Sequence, residues 1–225
     1  MWGVLNDASR RHGRWDPAEF FATGERDIVR VLERGEQIGL PRQRKVALDF
    51  GCGVGRFTRA LASQFENYIG VDISETMLEQ AREWNRDCTR CRFVLNTTGD
   101  LRPFESASID LIYTKYVLQH LPSTALVQSY LSEFVRILRP EGLLVFQLPS
   151  RIAPIHRIQP RRRLYDLLRR LGISERLLLG RLELTPIRMR AMPEAQVTDF
   201  VTRLGARVMW VERGSDLDHI YYLTR

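Results

Sequence analysis

The 225-residue sequence predicts an α/β fold: a mostly parallel sheet with helices on both faces, closing in an antiparallel pair. Three observations predict it. From residue 45 onward, short apolar runs alternate with amphipathic stretches. A glycine-rich turn joins the first of these runs to the first helical stretch. The last two β-like runs follow one another with only a short turn between them.

Asp16-Pro17-Ala18-Glu19 is a helix start, with Asp as the cap, Pro in the first turn and Glu three residues after the cap. That helix runs to about Gln37 and stops at Gly39 and Pro41. Lys45–Phe50 (KVALDF) reads as strand one, Tyr68–Asp72 (YIGVD) as strand two and Cys91–Asn96 (CRFVLN) as strand three. Ile109–Thr114 (IDLIYT) is strand four and Gly142–Leu148 (GLLVFQL) strand five. Helices fill the gaps at about Gly55–Gln64, Glu75–Asn85 and Thr124–Leu138. In the last, Leu126, Val127, Tyr130, Leu131, Phe134 and Leu138 recur at helical spacing and form one face for the sheet. Pro193–Leu204 is a further helix, with Pro at an allowed first-turn position. Ala206–Glu212 and Asp218–Thr224 close the chain as a hairpin over Gly214-Ser215.

Composition narrows the function. At 44% hydrophobic residues, spread along the whole chain, the protein can bury a core without staples, so disorder is excluded. No apolar run approaches the ~18 residues of a membrane span. The opening MWGVLNDASRRHGR lacks the apolar centre of an export signal, so the three cysteines are expected to be reduced thiols of a cytoplasmic protein. The net charge of +7 is local: residues 151–190 carry eleven arginines against Asp166, Glu175 and Glu183, which leaves the rest close to neutral. One basic insertion in a neutral body suggests a lid, an anionic-substrate contact or a docking face rather than a nucleic-acid surface. Within it, Leu164, Leu167, Leu168 and Leu171 share one helical face with arginines opposite. That pattern suits a cap packed on the domain, and less readily a helix lying on an anionic membrane along 161–171.

The sharpest signal is Asp49-Phe50-Gly51-Cys52-Gly53-Val54-Gly55-Arg56-Phe57, where an apolar strand gives way to a helix. Glycines there let the backbone pass close under a ligand and leave amides exposed at a helix start. The G-x-G-x-G spacing is not the G-x-G-x-x-G of dinucleotide folds. Asp72 ends strand two, where a carboxylate can accept hydrogen bonds from vicinal ribose hydroxyls. Together they describe a nucleoside held across the carboxyl ends of strands one and two. A tight turn with no ligand, and an Asp72 that merely caps the next helix, is the competing reading.

These residues, with VALDFGCGVGRFT, YIGVDIS, IDLIYTKYVLQHLP and LRPEGLLVFQLPS, resemble the class I S-adenosylmethionine-dependent methyltransferases of the small-molecule type. The resemblance implies a Rossmann-like seven-stranded sheet in the order 3-2-1-4-5-7-6. It also implies S-adenosylmethionine as cofactor. By motif position, Asp49, Gly51, Gly53 and Gly55 would line its methionine part and Asp72 would take the ribose. Ile73 and Met77 would flank the adenine, Asp100 and Leu101 would contact its amine edge, and Thr114 would supply a contact after strand four. Residues 1–44 would be a helical lid on a methyltransferase domain of residues 45–225, with Trp15, Phe20 and Phe21 on the lid.

Methyl transfer from a sulfonium is an in-line displacement onto an electrophile that is already activated, so positioning is the protein's main work; well-oriented reactants are worth ~7–11 kcal/mol. His120, in Leu118-Gln119-His120-Leu121-Pro122, is the candidate base or positioning residue after strand four. Tyr113 and Tyr116 flank the same region, where core packing is the first reading of each and substrate contact the second. Cys88-Thr89-Arg90-Cys91 lacks the second ligand pair of a zinc site, and His12, His120, His156 and His219 are scattered, so no metal is expected. The expected partner is a small-molecule methyl acceptor, anionic if the arginines serve it, with transfer to oxygen or nitrogen. Nucleic acid is the weaker alternative, because no aromatic residues interleave with the arginines apart from Tyr165; a silent cofactor binder is the other. The sequence is silent on oligomeric state.

Overall fold

Alternating side chains on the central strands are apolar on both faces, which only a sheet covered on both sides can satisfy. In the computed structural model such a sheet has seven strands in the order β3-β2-β1-β4-β5-β7-β6, the order the resemblance implied. The structure describes residues 16–152, 160–174, 177–178, 182, 189–214 and 218–225. The strands are β1 Val46–Phe50, β2 Asn67–Asp72, β3 Cys91–Leu95, β4 Ile109–Thr114, β5 Leu138–Pro149, β6 Arg207–Arg213 and β7 Asp218–Thr224. The helices are α1 Pro17–Gln37, α2 Arg56–Leu61, α3 Glu75–Trp84, α4 Thr124–Ile137, α5 Pro160–Arg170 and α6 Glu194–Arg203. Strands β1 to β5 are parallel, while β7 runs antiparallel to both β5 and β6.

Side chains cap three helix starts, the first as expected. Asp16 accepts from the Ala18 amide, Ser74 from Met77 and Ser123 from Leu126. One face of the sheet packs Leu48, Ile112, Leu144 and Phe146 against Phe134 of α4 and Val197 of α6. The other packs Ala47, Leu111, Tyr113 and Val145 against Ile28 of α1 and Phe57 of α2. At the amino edge, buried Asp110 accepts from the Lys45 and Val46 amides and from the Arg139 guanidinium, which ties β1 to β4.

Some expectations differ from the structure. Helix α4 gives way directly to β5 at Leu138, because Leu138 already pairs with Ile109. The reduced-thiol expectation is overturned for two cysteines. The turn before β3 brings the Cα atoms of Cys88 and Cys91 to 5.4 Å, within disulfide range, and the structure joins them; Cys52 stays free and buried. The cap orientation of the arginine-rich helix is also overturned. Helix α5 buries Tyr165 with Leu178, beside Leu168 and Ile173, and leaves Leu164, Leu167 and Leu171 at 45%, 54% and 69% exposure. No helix among the described residues is long and apolar enough to cross a membrane. The hairpin turn at 215–217 lies outside the described residues.

Candidate active site

The glycine-rich turn is anchored before it is shaped. The Gly51 and Cys52 amides both donate to the Val71 carbonyl, at 2.7 and 3.0 Å, so the turn after β1 is stitched to the end of β2. Gly51, Gly53 and Gly55 have φ of 75°, 54° and 83°, a left-handed run that favours glycine. Their roles differ. A Cβ on Gly51 would stand 2.2 Å from Val117 Cγ2, so this glycine makes room for the turn after β4. A Cβ on Gly53 would meet nothing nearer than Met77 Cε, at 3.6 Å, so the space above Gly53 is open.

Asp72 faces the same turn. Its Oδ2 accepts the Gly53 amide at 2.8 Å and its Oδ1 accepts the Ser74 amide at 2.9 Å. A carboxylate offers about four acceptor positions, so two hydrogen bonds leave about as many for a ligand. Next to it Ile73 is 72% exposed, an apolar side chain at the rim of the cleft. Asp49 lies beneath the turn, fully buried, and accepts from Thr58 Oγ1 at 2.7 Å. Burial pushes its carboxyl up to about 7 against the Thr58 hydrogen bonds and the Arg56 charge. Asp49 is therefore a carboxyl that a cationic group placed nearby would ionise.

The adenine-edge candidates differ in what holds them. Leu101 is fully buried in the core and its amide donates to Glu133 Oε2 at 2.7 Å, which withdraws both from the cleft. The Asp100 carboxylate meets Arg102 at 2.9 Å and Thr98 Oγ1 at 3.1 Å. The segment that leaves β3 along the Asp72 edge is instead Asn96–Thr98, because the Asn96 amide donates to the Asp72 carbonyl at 2.8 Å. The signal was present in the sequence as the extra polar residues between β3 and Gly99.

After β4 the candidates separate. Tyr113 packs edge-on against Phe57 in the core, at 4.8 Å between centroids, so it is not a contact on the acceptor side; the strand's alternation points it toward α2. Thr114 is buried, and its hydroxyl finds no hydrogen-bond partner among the described residues. Tyr116 and His120 are exposed, and Tyr116 holds the left-handed φ of 64° that a bulky residue rarely adopts. His120 Nε2 stands 3.1 Å from Gln119 Nε2.

On α1, Phe20 is buried beside Trp84 and under the Arg56 guanidinium, and Phe21 packs edge-on against both Phe20 and Trp84. Trp15 lies outside the described residues.

Sequence reasoning missed several residues that the fold gathers here. Lys115 Nζ is 3.0 Å from Asp27 Oδ2, and Arg56 reaches the same oxygen at 4.0 Å and Thr23 Oγ1 at 2.6 Å, so α1 is tied to the turns after β1 and β4. Gln119 and Gln147 are buried and bonded to each other at 3.1 Å. Gln147 did leave a trace in the sequence, as the polar interruption of GLLVFQL; the ion pair left none, since its members lie far apart in the chain. Among the described residues no group of three or more His, Cys, Asp or Glu side chains could hold a metal ion.

Comparison with known proteins gives the same picture. Residues 48–146 match the family model described as a methyltransferase domain. The chain is 33% identical over 147 residues to the trans-aconitate 2-methyltransferase of Methylobacterium radiotolerans, covering 64% of this chain and 53% of that protein. It is 36% identical over 120 residues to the demethylmenaquinone methyltransferase of Tropheryma whipplei, covering 49% and 46%. It thus spans about half the length of the curated relatives it matches. Among solved structures it resembles the magnesium protoporphyrin IX methyltransferase of Synechocystis, with TM-score 0.63 and 17% identity over 96% of this chain and 90% of that one. The glycine turn, Asp72, the strand order and these matches agree: residues 48–146 are similar to the methyltransferase domain family, carried on the seven-stranded sheet common to it and to these solved structures.

Proposed function

We propose that this chain binds S-adenosylmethionine and transfers its methyl group to an oxygen or nitrogen of a small, anionic molecule. The observation that carries the reading is the open space over Gly53, bounded by Met77 and set beside Asp72 with acceptor capacity to spare. When bound, the cofactor supplies a methyl group already activated by the sulfonium charge. The residues' work is then to bind and orient. Asp72 holds the ribose, Ile73 and Met77 flank the base, and the amides of the glycine turn with Asp49 border the amino-acid end. Helix α1, held by the ion pairs of Asp27, closes the cleft from above as a lid and excludes water. Tyr116 and His120 border the acceptor. Relatives named for trans-aconitate, a carboxylate, favour an anionic acceptor.

Calorimetric titration with S-adenosylmethionine tests this. Asp72→Ala should weaken binding by about 1–3 kcal/mol, the cost of leaving polar groups unpaired. Unchanged affinity in that variant would refute the ribose assignment.

Helix α5 favours a particular setting for the reaction. Its exposed Leu164 and Leu167, with Leu171 just beyond its end, lie between arginines, with Arg163, Arg169 and Arg170 also exposed, as on a helix that rests on an anionic lipid surface. The protein should then sediment with vesicles containing phosphatidylglycerol and not with phosphatidylcholine alone, and Leu167→Ser with Leu171→Ser should reverse this. Equal behaviour of the two vesicle types would remove the membrane from the reading.

A further inference from the structure

The turn between α3 and β3 is closed by the Cys88–Cys91 disulfide, which the cofactor reading leaves without a role. Both flanks of that turn rest on the glycine-rich turn. On the α3 side, the Cys91 amide donates to the Cys88 carbonyl at 2.9 Å and the Cys88 amide to the Asn85 carbonyl at 2.8 Å. The Asn85 side chain, 2% exposed, donates through Nδ2 to the Val54 carbonyl at 3.0 Å and to the Ala81 carbonyl at 2.7 Å. Its Oδ1 has no hydrogen-bond partner among the described residues, so donation alone holds the amide there. On the β3 side, Phe93 follows Cys91 by two residues. A Cβ on Gly55 would stand 2.8 Å from Asn85 Nδ2 and 2.9 Å from Phe93 Cε1, so both flanks close on the same glycine. A third tie runs through Asp87, whose carboxylate holds both terminal nitrogens of Arg59 on α2, at 2.6 and 2.7 Å.

We propose that Cys88 and Cys91 form a thiol–disulfide switch that sets the stiffness of the glycine turn and, through it, the affinity for S-adenosylmethionine. The closed bond restricts the backbone between Asn85 and Phe93, and opening it returns freedom to both flanks. A turn that is already stiff costs less to order around a ligand, so the disulfide form is the tighter binder. Cys88 lines a surface cavity of about 400 Å³ with Arg59, Ser63, Tyr68, Asp87 and Arg90, which gives a small thiol room to reach the bond. The Tyr68 hydroxyl stands 3.6 Å from Cys88 Sγ, and the Arg90 guanidinium lies 5.9 Å from the centre of the Tyr68 ring. A hydroxyl donor and a cation thus sit beside a sulfur that must carry charge during exchange. The exchange consumes two small thiols. The thiolate of the first attacks Cys88 Sγ, the bond to Cys91 breaks, and Cys91 leaves as a thiolate. The thiolate of the second attacks the first partner's sulfur, which releases Cys88 and a partner disulfide. Two electrons pass to the protein, and the protons shed by the two partners end on Cys88 and Cys91. The effect on affinity rests on the function proposed above, whereas the stiffness of the turn is a property of the protein alone.

The test equilibrates the full chain with reduced or oxidised glutathione, removes the glutathione, and compares the two forms. Alkylation mapped by mass spectrometry should find Cys88 and Cys91 open after reduced glutathione and closed after oxidised glutathione. Without cofactor, amide hydrogen exchange across residues 51–56 should be faster in the reduced form. Calorimetry should show S-adenosylmethionine binding weakened about fivefold or more by reduction, the lower end of coupling between sites. Cys88→Ser with Cys91→Ser should match the reduced form and ignore glutathione, which separates this pair from the free Cys52. Asn85→Ala should exchange fast while still oxidised, and reduction should then add little. A bond that reduced glutathione leaves intact, or a turn that exchanges equally fast in both forms, overturns the switch without any variant. A double-serine variant that still responds to glutathione overturns it as well. Equal binding of the cofactor by the two forms overturns its coupling to the cleft. If exchange differs as stated and neither form binds S-adenosylmethionine, the functional reading fails and the switch stands.

Discussion

The carboxyl edges of the two halves of the sheet are built by opposite means. After β1 and β2 the cleft is made of backbone: glycines with positive φ, amides stitched to Val71, and one carboxylate that accepts two more amides. After β4 and β5 it is made of side chains, with Gln147 of β5 bonded to the Tyr116 amide and to Gln119 of the turn after β4, and Lys115 paired to Asp27. The first design tolerates little change in shape, because its parts are backbone held by two paired strands. The second can be rewritten residue by residue, which suits the side of the cleft that must recognise a particular acceptor.

The largest expected effect falls on the backbone-built half. Gly51→Ala adds a left-handed alanine and a Cβ that must displace Val117, which should cost about 2–5 kcal/mol of stability, read from urea unfolding. Gly53→Ala has only the backbone cost, about 1–2 kcal/mol, yet it fills the open space. It should therefore weaken cofactor binding at least tenfold, ~1.4 kcal/mol by calorimetry, while the protein stays folded. Equal stability losses in these two variants would erase the distinction between a glycine that admits Val117 and one that admits a ligand.

Asp49 gives a prediction in pH. Its carboxyl titrates near 7 when folded and near 4 when unfolded, so the native state holds more protons in that window. Its contribution to stability is present below about pH 4 and is lost as pH rises toward 7. Asp49→Asn should flatten this part of the stability curve, and cofactor binding to the wild-type protein near neutral pH should release a proton in titrations run in two buffers. The smallest effect belongs to the side-chain-built half. Tyr116→Gly relieves a left-handed φ and should leave stability unchanged or raise it by about 1 kcal/mol, while slowing turnover.

The same contrast governs what could be read from the sequence. The Gly51–Gly55 run is legible because its work is local, spacing along the chain being spacing in space, and Asp72 because it ends the very next strand. The strand order came through the same motifs. The register at Leu101 is not legible because polar residues separate it from β3, and only packing decides which residue turns inward. Tyr113 lies in the core, one of its two readings, and strand alternation could not choose between them because it tells which residues share a face but not which face carries the cleft. The amphipathic stripe of α5 was read correctly as a stripe and wrongly as a buried one, because periodicity does not name what covers it. Gln147 could be noticed as out of place; the direction of its hydrogen bonds could not.

The insertion between β5 and α6 has one further property. The Met192 amide returns to the Pro149 carbonyl at 2.9 Å, so its two ends sit side by side on the sheet. Arg190 fastens the closing end again, through its amide to the Gln119 carbonyl and its guanidinium to Leu121 and Pro122. A segment clamped in this way at its base behaves as a cartridge: it can be lengthened, shortened or exchanged for that of another chain without re-registering a single strand.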